Sequence, residues 1–361
     1  MTATDETVGQ AAASSQFREW RRLVGVLLLL FSPLLLATAL LEGLAWRVGE
    51  TMPLAMVSSW QDGAPDRIWR GGDGHSFVAY KLARVADLKP AVLALGPGRA
   101  NAFRGTDFAP YSFYNAGQTA WTFGQYRHFL ELATNDGYAP RAVVFNLDYW
   151  MLAAGFDHYV AGRSDEKAET HIANLMRVVG QLGSDPLDLL RRLRAADRVH
   201  GLYALLTGEG FAADGSPNAK QASADPQRLA DDGTAAGLPP AVFADRIADE
   251  QVAEFDGFVA FAKSKKIALI GVQLPFYAKI LDGLNGSSDA GIWREFESAD
   301  WQKQHLAAAG VIFFDFANMQ EYRDKPEYFS DSLDPDQRVA ADVARRVTAD
   351  LRVRAVLSDA K

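Results

Sequence analysis

The sequence predicts an α/β protein built on a mainly parallel five-stranded sheet and preceded by one N-terminal transmembrane helix. Three observations carry the prediction. Short runs at Ala91–Leu95, Ser112–Ala116, Ala142–Tyr149, Ile267–Phe276 and Val311–Phe316, several almost wholly apolar, recur with helical patterns between them. Parallel strands covered on both faces read this way. The first run stops at Gly96-Pro97-Gly98, and open α/β sheets place ligands at such carboxyl ends of strands. Leu23–Leu41 is 19 residues without a charge, about 28 Å as a helix and enough to span a hydrocarbon core.

At the N-terminus, residues 1–16 are small and polar and are expected to lack order. Arg18, Arg21 and Arg22 precede the apolar run, and Glu42 and Trp46 follow it. The positive-inside bias places a cytoplasmic tail over 1–22, an anchor over 23–45 and the rest of the chain outside. A cleaved signal peptide is the alternative. The run is long for a signal h-region and no A-x-A-like site follows closely, so a signal anchor in the inner (cytoplasmic) membrane is the expectation, with the main domain extracytoplasmic or periplasmic. The formal charge of −8 shows no basic domain and argues against nucleic acid. With no cysteine in the 361 residues, disulfides, thiolate catalysis and Cys-based zinc sites are excluded.

Residues 46–79 read as a juxtamembrane connector, and Phe77, Tyr80, Leu82 and Val85 give Ser76–Leu88 a helical spacing. The main domain is expected over 80–355. Thr122 with Gln125 fits a helix-opening capping box, and Phe129, Leu130 and Leu132 follow. A second helix starts near Ser184 with an early Pro186, and a third covers Val252–Ala262. Between about 155 and 248 the βα rhythm is lost, and Ala212–Pro240, rich in Ala, Asp, Gly and Ser, reads as a long mobile insertion. The last helix opens at Asp334-Pro335-Asp336-Gln337, with Asp334 as N-cap and Pro335 at its first position.

Four stretches carry a family resemblance: LALGPGRANAF, FYNAGQTAWTFGQY, AVVFNLDYW and YFSDSLDPDQRVAADVARRV. In this order the chain resembles the SGNH/GDSL hydrolase superfamily, and more narrowly its membrane-anchored branch in bacterial envelope loci, with the alginate-type O-acetyltransferase relatives. The resemblance runs from about Tyr80 to Leu351, the insertion excepted. It implies a flavodoxin-like three-layer sandwich and a serine–histidine–aspartate centre for ester hydrolysis or acyl transfer.

At the site this chain departs from the family pattern. The serine position is Gly98 and the histidine position Asp334, while Asp331 retains the triad aspartate. A glycine has no nucleophile, and a carboxylate with an ordinary pKa near 4 is a poor base for a hydroxyl. Asp148 falls near the usual Asn, where a carboxylate repels an oxyanion. Asn115 and Gly117 remain in the second block as part of an oxyanion-type pocket, and Arg99 either binds an anionic ligand or pairs with Asp148 or Asp331. Each residue also has a plain structural reading. Gly98 permits a positive φ, Asp334 caps a helix, and Asn115 satisfies buried backbone.

The six histidines show no metal-ligand spacing. The acidic turn at Asp331, Asp334 and Asp336 does not fit an EF-hand, and no metal or cofactor is expected.

The expectation is therefore an SGNH-like protein with a degenerate site, an accessory or binding subunit in envelope polysaccharide O-acetylation. Its partners would be the membrane, a membrane-bound O-acyltransferase implied by the resemblance, and a polysaccharide. Two alternatives stay open. One is an active O-acetyltransferase or carbohydrate esterase with a displaced centre, using Ser112, Thr119 or Thr122 with His158 as base. The other is a structural subunit of a membrane complex.

Overall fold

In the computed structural model, residues 4–64, 66–71, 77–164, 171–194, 197–218, 244–330 and 333–358 are described. In chain order, α1 (Thr4–Arg47) contains the uncharged run and, against the expectation that 1–16 lack order, extends back to Thr4. It is followed by α2 (Leu54–Asp62), β1 (Ile68–Trp69), α3 (Phe77–Leu88), β2 (Val92–Leu95), β3 (Phe113–Asn115), α4 (Phe123–Ala133) and β4 (Ala142–Asn146). Then come α5 (Phe156–Ser164), α6 (His171–Ser184), α7 (Pro186–Arg194), β5 (Val199–His200), α8 (Leu202–Thr207), α9 (Asp249–Ser264) and β6 (Ala268–Gln273). The chain closes with α10 (Ala278–Gly286), α11 (Gly291–Phe296), α12 (Ala299–Trp301, running into a π-helical turn), β7 (Ile312–Asp315), α13 (Gln337–Ala349) and α14 (Leu351–Ser358).

Each expected strand is present; β2 ends with its run at Leu95, and the other four end earlier than theirs. Past Asn146 and Gln273 the chain turns out of the ladder while its side chains stay buried. The sheet order is β3-β2-β4-β6-β7 and every pairing is parallel. The chain steps outward from β2 to β3, then crosses back to β4, so the order reverses at β2/β4. Parallel pairs need long crossovers: β2 reaches β3 through the 3₁₀ turns Gly98–Ala102 and Gly105–Phe108, and the later strands are joined through helices.

Period-two alternation splits the strand side chains between two cores. Leu93, Leu95, Val143, Phe145 and Leu269 face Phe123, Tyr126 and Phe129 of α4 and Phe255, Phe258 and Val259 of α9. Val92, Ala94, Val144, Ile270 and Val272 face Val339, Ala340, Val343 and Val347 of α13 and Val353 of α14.

Helix starts follow the expected chemistry with one correction. Thr122 Oγ1 accepts from the Gln125 N–H at 3.3 Å, and Gln125 Oε1 accepts from the Trp121 N–H at 2.7 Å. The last helix, however, is capped by Asp336 and not by Asp334. Asp336 Oδ1 accepts from the N–H groups of Arg338 (2.9 Å) and Val339 (3.2 Å). Pro335 forms an antiparallel bridge with Phe329, so this proline is extended and does not open the helix.

The stretch expected to be a plain connector is structured. It supplies α2 and β1, and β1 pairs in parallel with β5 from the insertion, Ile68 opposite Val199. The insertion supplies α5 to α8 as well. The start of the segment expected to be mobile is also docked. The Asn115 N–H donates to Asp214 O at 2.7 Å, the Gly105 N–H to Asp214 Oδ2 at 2.7 Å, and Arg104 Nη2 to Pro217 O at 2.9 Å. Gly215 takes φ +78 there, and a Cβ would lie 2.3 Å from Asn115 O, so a glycine is required. The remainder, 219–243, lies outside the described residues, as do Asp331 and most of the turn Gly71-Gly72-Asp73-Gly74.

Candidate functional site

The carboxyl ends of β2, β4 and β6 meet at the strand-order reversal, and the loop before α13 reaches the same place. Gly96 makes the turn after β2 sterically feasible. A Cβ there would stand 2.7 Å from Ala100 Cβ and 2.9 Å from Asn146 Cβ, closer than side-chain atoms approach. The chain then forms a 3₁₀ turn over Gly98–Ala102.

Gly98 differs from Gly96. It is absent from the positive-φ residues, so conformational freedom does not explain it. Among the described residues, the atom its Cβ would approach is Asp334 Oδ2, at 3.7 Å, an ordinary contact. Gly98 and Asp334 are thus adjacent, and among the described residues position 98 has room for a side chain. The loop is held there by its backbone, since Ser330 donates through both N–H (2.8 Å) and Oγ (3.0 Å) to Asp334 O.

Arg99 and Asp148 form the floor of the site. Arg99 Nη1 stands 3.3 Å from Asp148 Oδ1, with both side chains almost wholly buried. Arg99 Nη2 donates to Leu274 O (2.7 Å) and Pro275 O (3.1 Å) just past β6, and its guanidinium lies over the Phe276 ring at 4.6 Å. Asp148 also accepts from Asn146 Nδ2. Burial pushes the Asp148 carboxyl up, opposed by Arg99 and then by the Asn146 hydrogen bond. Arg99 thus ties the ends of β2, β4 and β6 together through Nη2 and its ion pair, while its Nε and Nη1 have no hydrogen-bond partner among the described residues.

Asn115 is committed to the backbone. Its Nδ2 donates to Ala100 O (2.8 Å) and Phe103 O (3.0 Å), and its Oδ1 accepts from the Gly117 N–H at 2.7 Å. An oxyanion donor must point at the reacting atom with its proton unspent. The Gly117 N–H is turned onto Asn115 instead. Of the hydroxyls considered as displaced nucleophiles, Thr119 Oγ1 donates to Ala116 O (2.6 Å), while Thr122 Oγ1 and Ser112 Oγ accept from the N–H groups of Gln125 (3.3 Å) and Ala91 (2.9 Å). His158 is an exposed residue of α5.

The sequence reading missed Lys81 and Arg84. Both are buried in α3; Lys81 Nζ donates to Gly117 O at 2.6 Å, and Arg84 Nη2 to Asp62 Oδ1 (2.8 Å) and Ala213 O (3.1 Å). Two cations within the apolar stripe Tyr80–Val85 were the available signal, because such residues are buried only with partners.

Among the described residues, no group of three or more His, Asp or Glu side chains is placed to hold a metal ion. No protein-family model matches the chain, and neither a curated protein nor a solved structure matches it significantly.

Proposed function

We propose that this chain is a membrane-anchored, SGNH-like protein with a degenerate hydrolase site, acting as a binding or accessory subunit in envelope polysaccharide O-acetylation. The observation that carries the reading is the pairing of Gly98 with Asp334 Oδ2 at 3.7 Å from the missing Cβ. The two loops meet as a serine–histidine pair requires, yet neither side chain performs that chemistry. A strand order of 2-1-3-4-5, counted along the main sheet, with helices against both faces, supports the flavodoxin-like three-layer architecture.

The anchor reading is supported by Trp20–Arg47, 28 residues with a mean hydropathy of 2.5 in its apolar window. A retained anchor is favoured over a cleaved signal because its last turn belongs to the folded protein. Ala45 and Val48 are fully buried against α6, α7 and α8, and Val48 O accepts from the Gly201 N–H at 2.6 Å. With α1 spanning, Arg18, Arg21 and Arg22 before its uncharged run set a cytoplasmic N-terminus and an extracytoplasmic domain.

The test compares acetyl-ester hydrolysis and transfer by the full chain in detergent with those of a Gly98→Ser/Asp334→His double variant. The expected result is an inert parent and a variant that gains activity. Robust esterase activity in the parent would overturn the reading. The donation of Thr119 Oγ1 to Ala116 O and the exposed place of His158 on α5 weigh against a displaced centre.

A further inference from the structure

Helices α6 and α7 carry apolar side chains in two directions. Inward, Leu175, Val178, Leu189 and Leu193 join Leu41, Leu44, Ala45 and Val48 at the end of α1, with Leu202 and Leu205 of α8. Outward, Ile172 (71% exposed), Met176 (65%), Leu187 (65%) and Leu190 (52%) are bare. Ile172, Met176 and Val179 follow i, i+4, i+7, one side of a helix next to the buried side. The apolar arc of α6 is therefore wider than the part its neighbours cover, and an apolar arc exposed to water is selected against unless something covers it.

Its position identifies the cover. Trp20 and Trp46 are both exposed and lie about 39 Å apart along α1 at 1.5 Å per residue, the spacing of the two interfacial layers of a bilayer. Leu41, Leu44 and Ala45, the residues that α6 and α7 pack on, lie within one or two turns of Trp46. With α1 spanning and Trp46 at the interface, α6 and α7, packed on this end of the helix, come to headgroup depth. On α7 the exposed Leu187 and Leu190 are flanked by the exposed Arg191 and Arg194. Long cationic side chains beside interfacial leucines reach back to phosphate while their stems stay in the apolar layer.

We propose that α6 and α7 lie in the plane of the outer leaflet, with Ile172, Met176, Leu187 and Leu190 inserted at the acyl–headgroup boundary, so that the domain rests on the membrane through a second contact beside its span. The inference rests on α1 crossing the bilayer and is independent of the hydrolase reading. The cysteine-free chain makes the test direct. Met176→Cys, Leu190→Cys, Leu30→Cys and Ser264→Cys are each labelled with an environment-sensitive fluorophore in the full chain. The proteins are reconstituted in phosphatidylcholine–phosphatidylglycerol vesicles doped with shallow or deep nitroxide lipids. Labels at 176 and 190 are expected to be quenched more by shallow than by deep nitroxides, with 30 quenched by deep ones and 264, an exposed position on α9, by neither. Quenching at 30 but not at 176 and 190 overturns the proposal and leaves the anchor standing. If 176 and 190 are unquenched yet shielded from a water-soluble thiol reagent, a protein covers the face and the proposal also falls. No quenching at 30 removes the anchor and the proposal together.

Discussion

Arg99 and Asp148 are the residues whose loss the fold would feel most at the site. Arg99→Ala leaves a buried carboxylate without its cation, and removing one partner of such a pair costs about 3–5 kcal/mol. Denaturant unfolding of the full chain in detergent should show that loss, and Arg99→Met/Asp148→Leu should recover much of it. Recovery would fix the pair as a structural clamp. Gly98→Ser should by contrast change stability by less than about 0.5 kcal/mol, since its new atoms meet an ordinary contact and no positive φ is demanded. Asn115→Ala strips partners from two carbonyls and the Gly117 N–H, at about 1–3 kcal/mol for a buried group left unsatisfied. If that variant unfolds like the parent, the residue is held for a ligand and not for the backbone.

At the scale of elements, the helix start before α13 separates two neighbouring aspartates. Asp336→Ala should cost about 1 kcal/mol of stability as a lost N-cap, and Asp334→Ala should leave the cap intact. Both carboxylates fit an Asp-Pro-Asp helix signal, and the sequence alone does not tell them apart. The bridge between Pro335 and Phe329 decides between them, and Phe329 lies in another turn. The same contrast runs through the chain. Strands β2, β4 and β6 were legible because burial on both faces leaves an apolar run. The helix opened by Thr122 was legible because its cap is local. Strands β1 and β5 are two residues each, too short for any period, and exist only because they pair across the insertion. The pairing of Arg99 with Asp148 and the backbone role of Asn115 were among the readings open from the sequence, whereas their partners Leu274, Ala100 and Phe103 lie in other segments and were not legible.

His200, at the end of β5, stacks on Trp60 at 3.6 Å, and burial, with Arg67 nearby, pushes its pKa down from 6.5 to about 4. The unfolded chain binds this proton first. The stability contribution is therefore whole above about pH 6.5 and is lost as pH falls through about 4, a slope that His200→Phe should flatten. Glu297 has the opposite sign. Burial and the facing Asp315 push it up from 4.5 to about 8, so its contribution is whole below about pH 4.5 and is lost as pH rises through about 8. Glu297→Gln should raise the denaturant midpoint at alkaline pH and leave it unchanged in acid.

For the molecule as a whole, the packed end of α1 makes that helix and the domain one folding problem. A fragment beginning after Val48 loses Ala45, Val48 and the acceptor for the Gly201 N–H. Hydrogen exchange should then quicken across α6, α7 and α8 while the amides of β2, β4 and β6 keep their protection. Equal protection in α8 would mean that the span merely tethers the domain. The joint also has a kinematic consequence. A globule on a slack leash sweeps a hemisphere and meets its counterparts by chance orientation, at a concentration set by the leash length. A globule seated on the end of a rigid post has neither that reach nor that freedom to tumble. With α1 spanning a bilayer, as proposed, the strand ends keep a fixed height above it, so anything that meets them must be carried to that altitude, either within the leaflet or by a neighbour of matching stature.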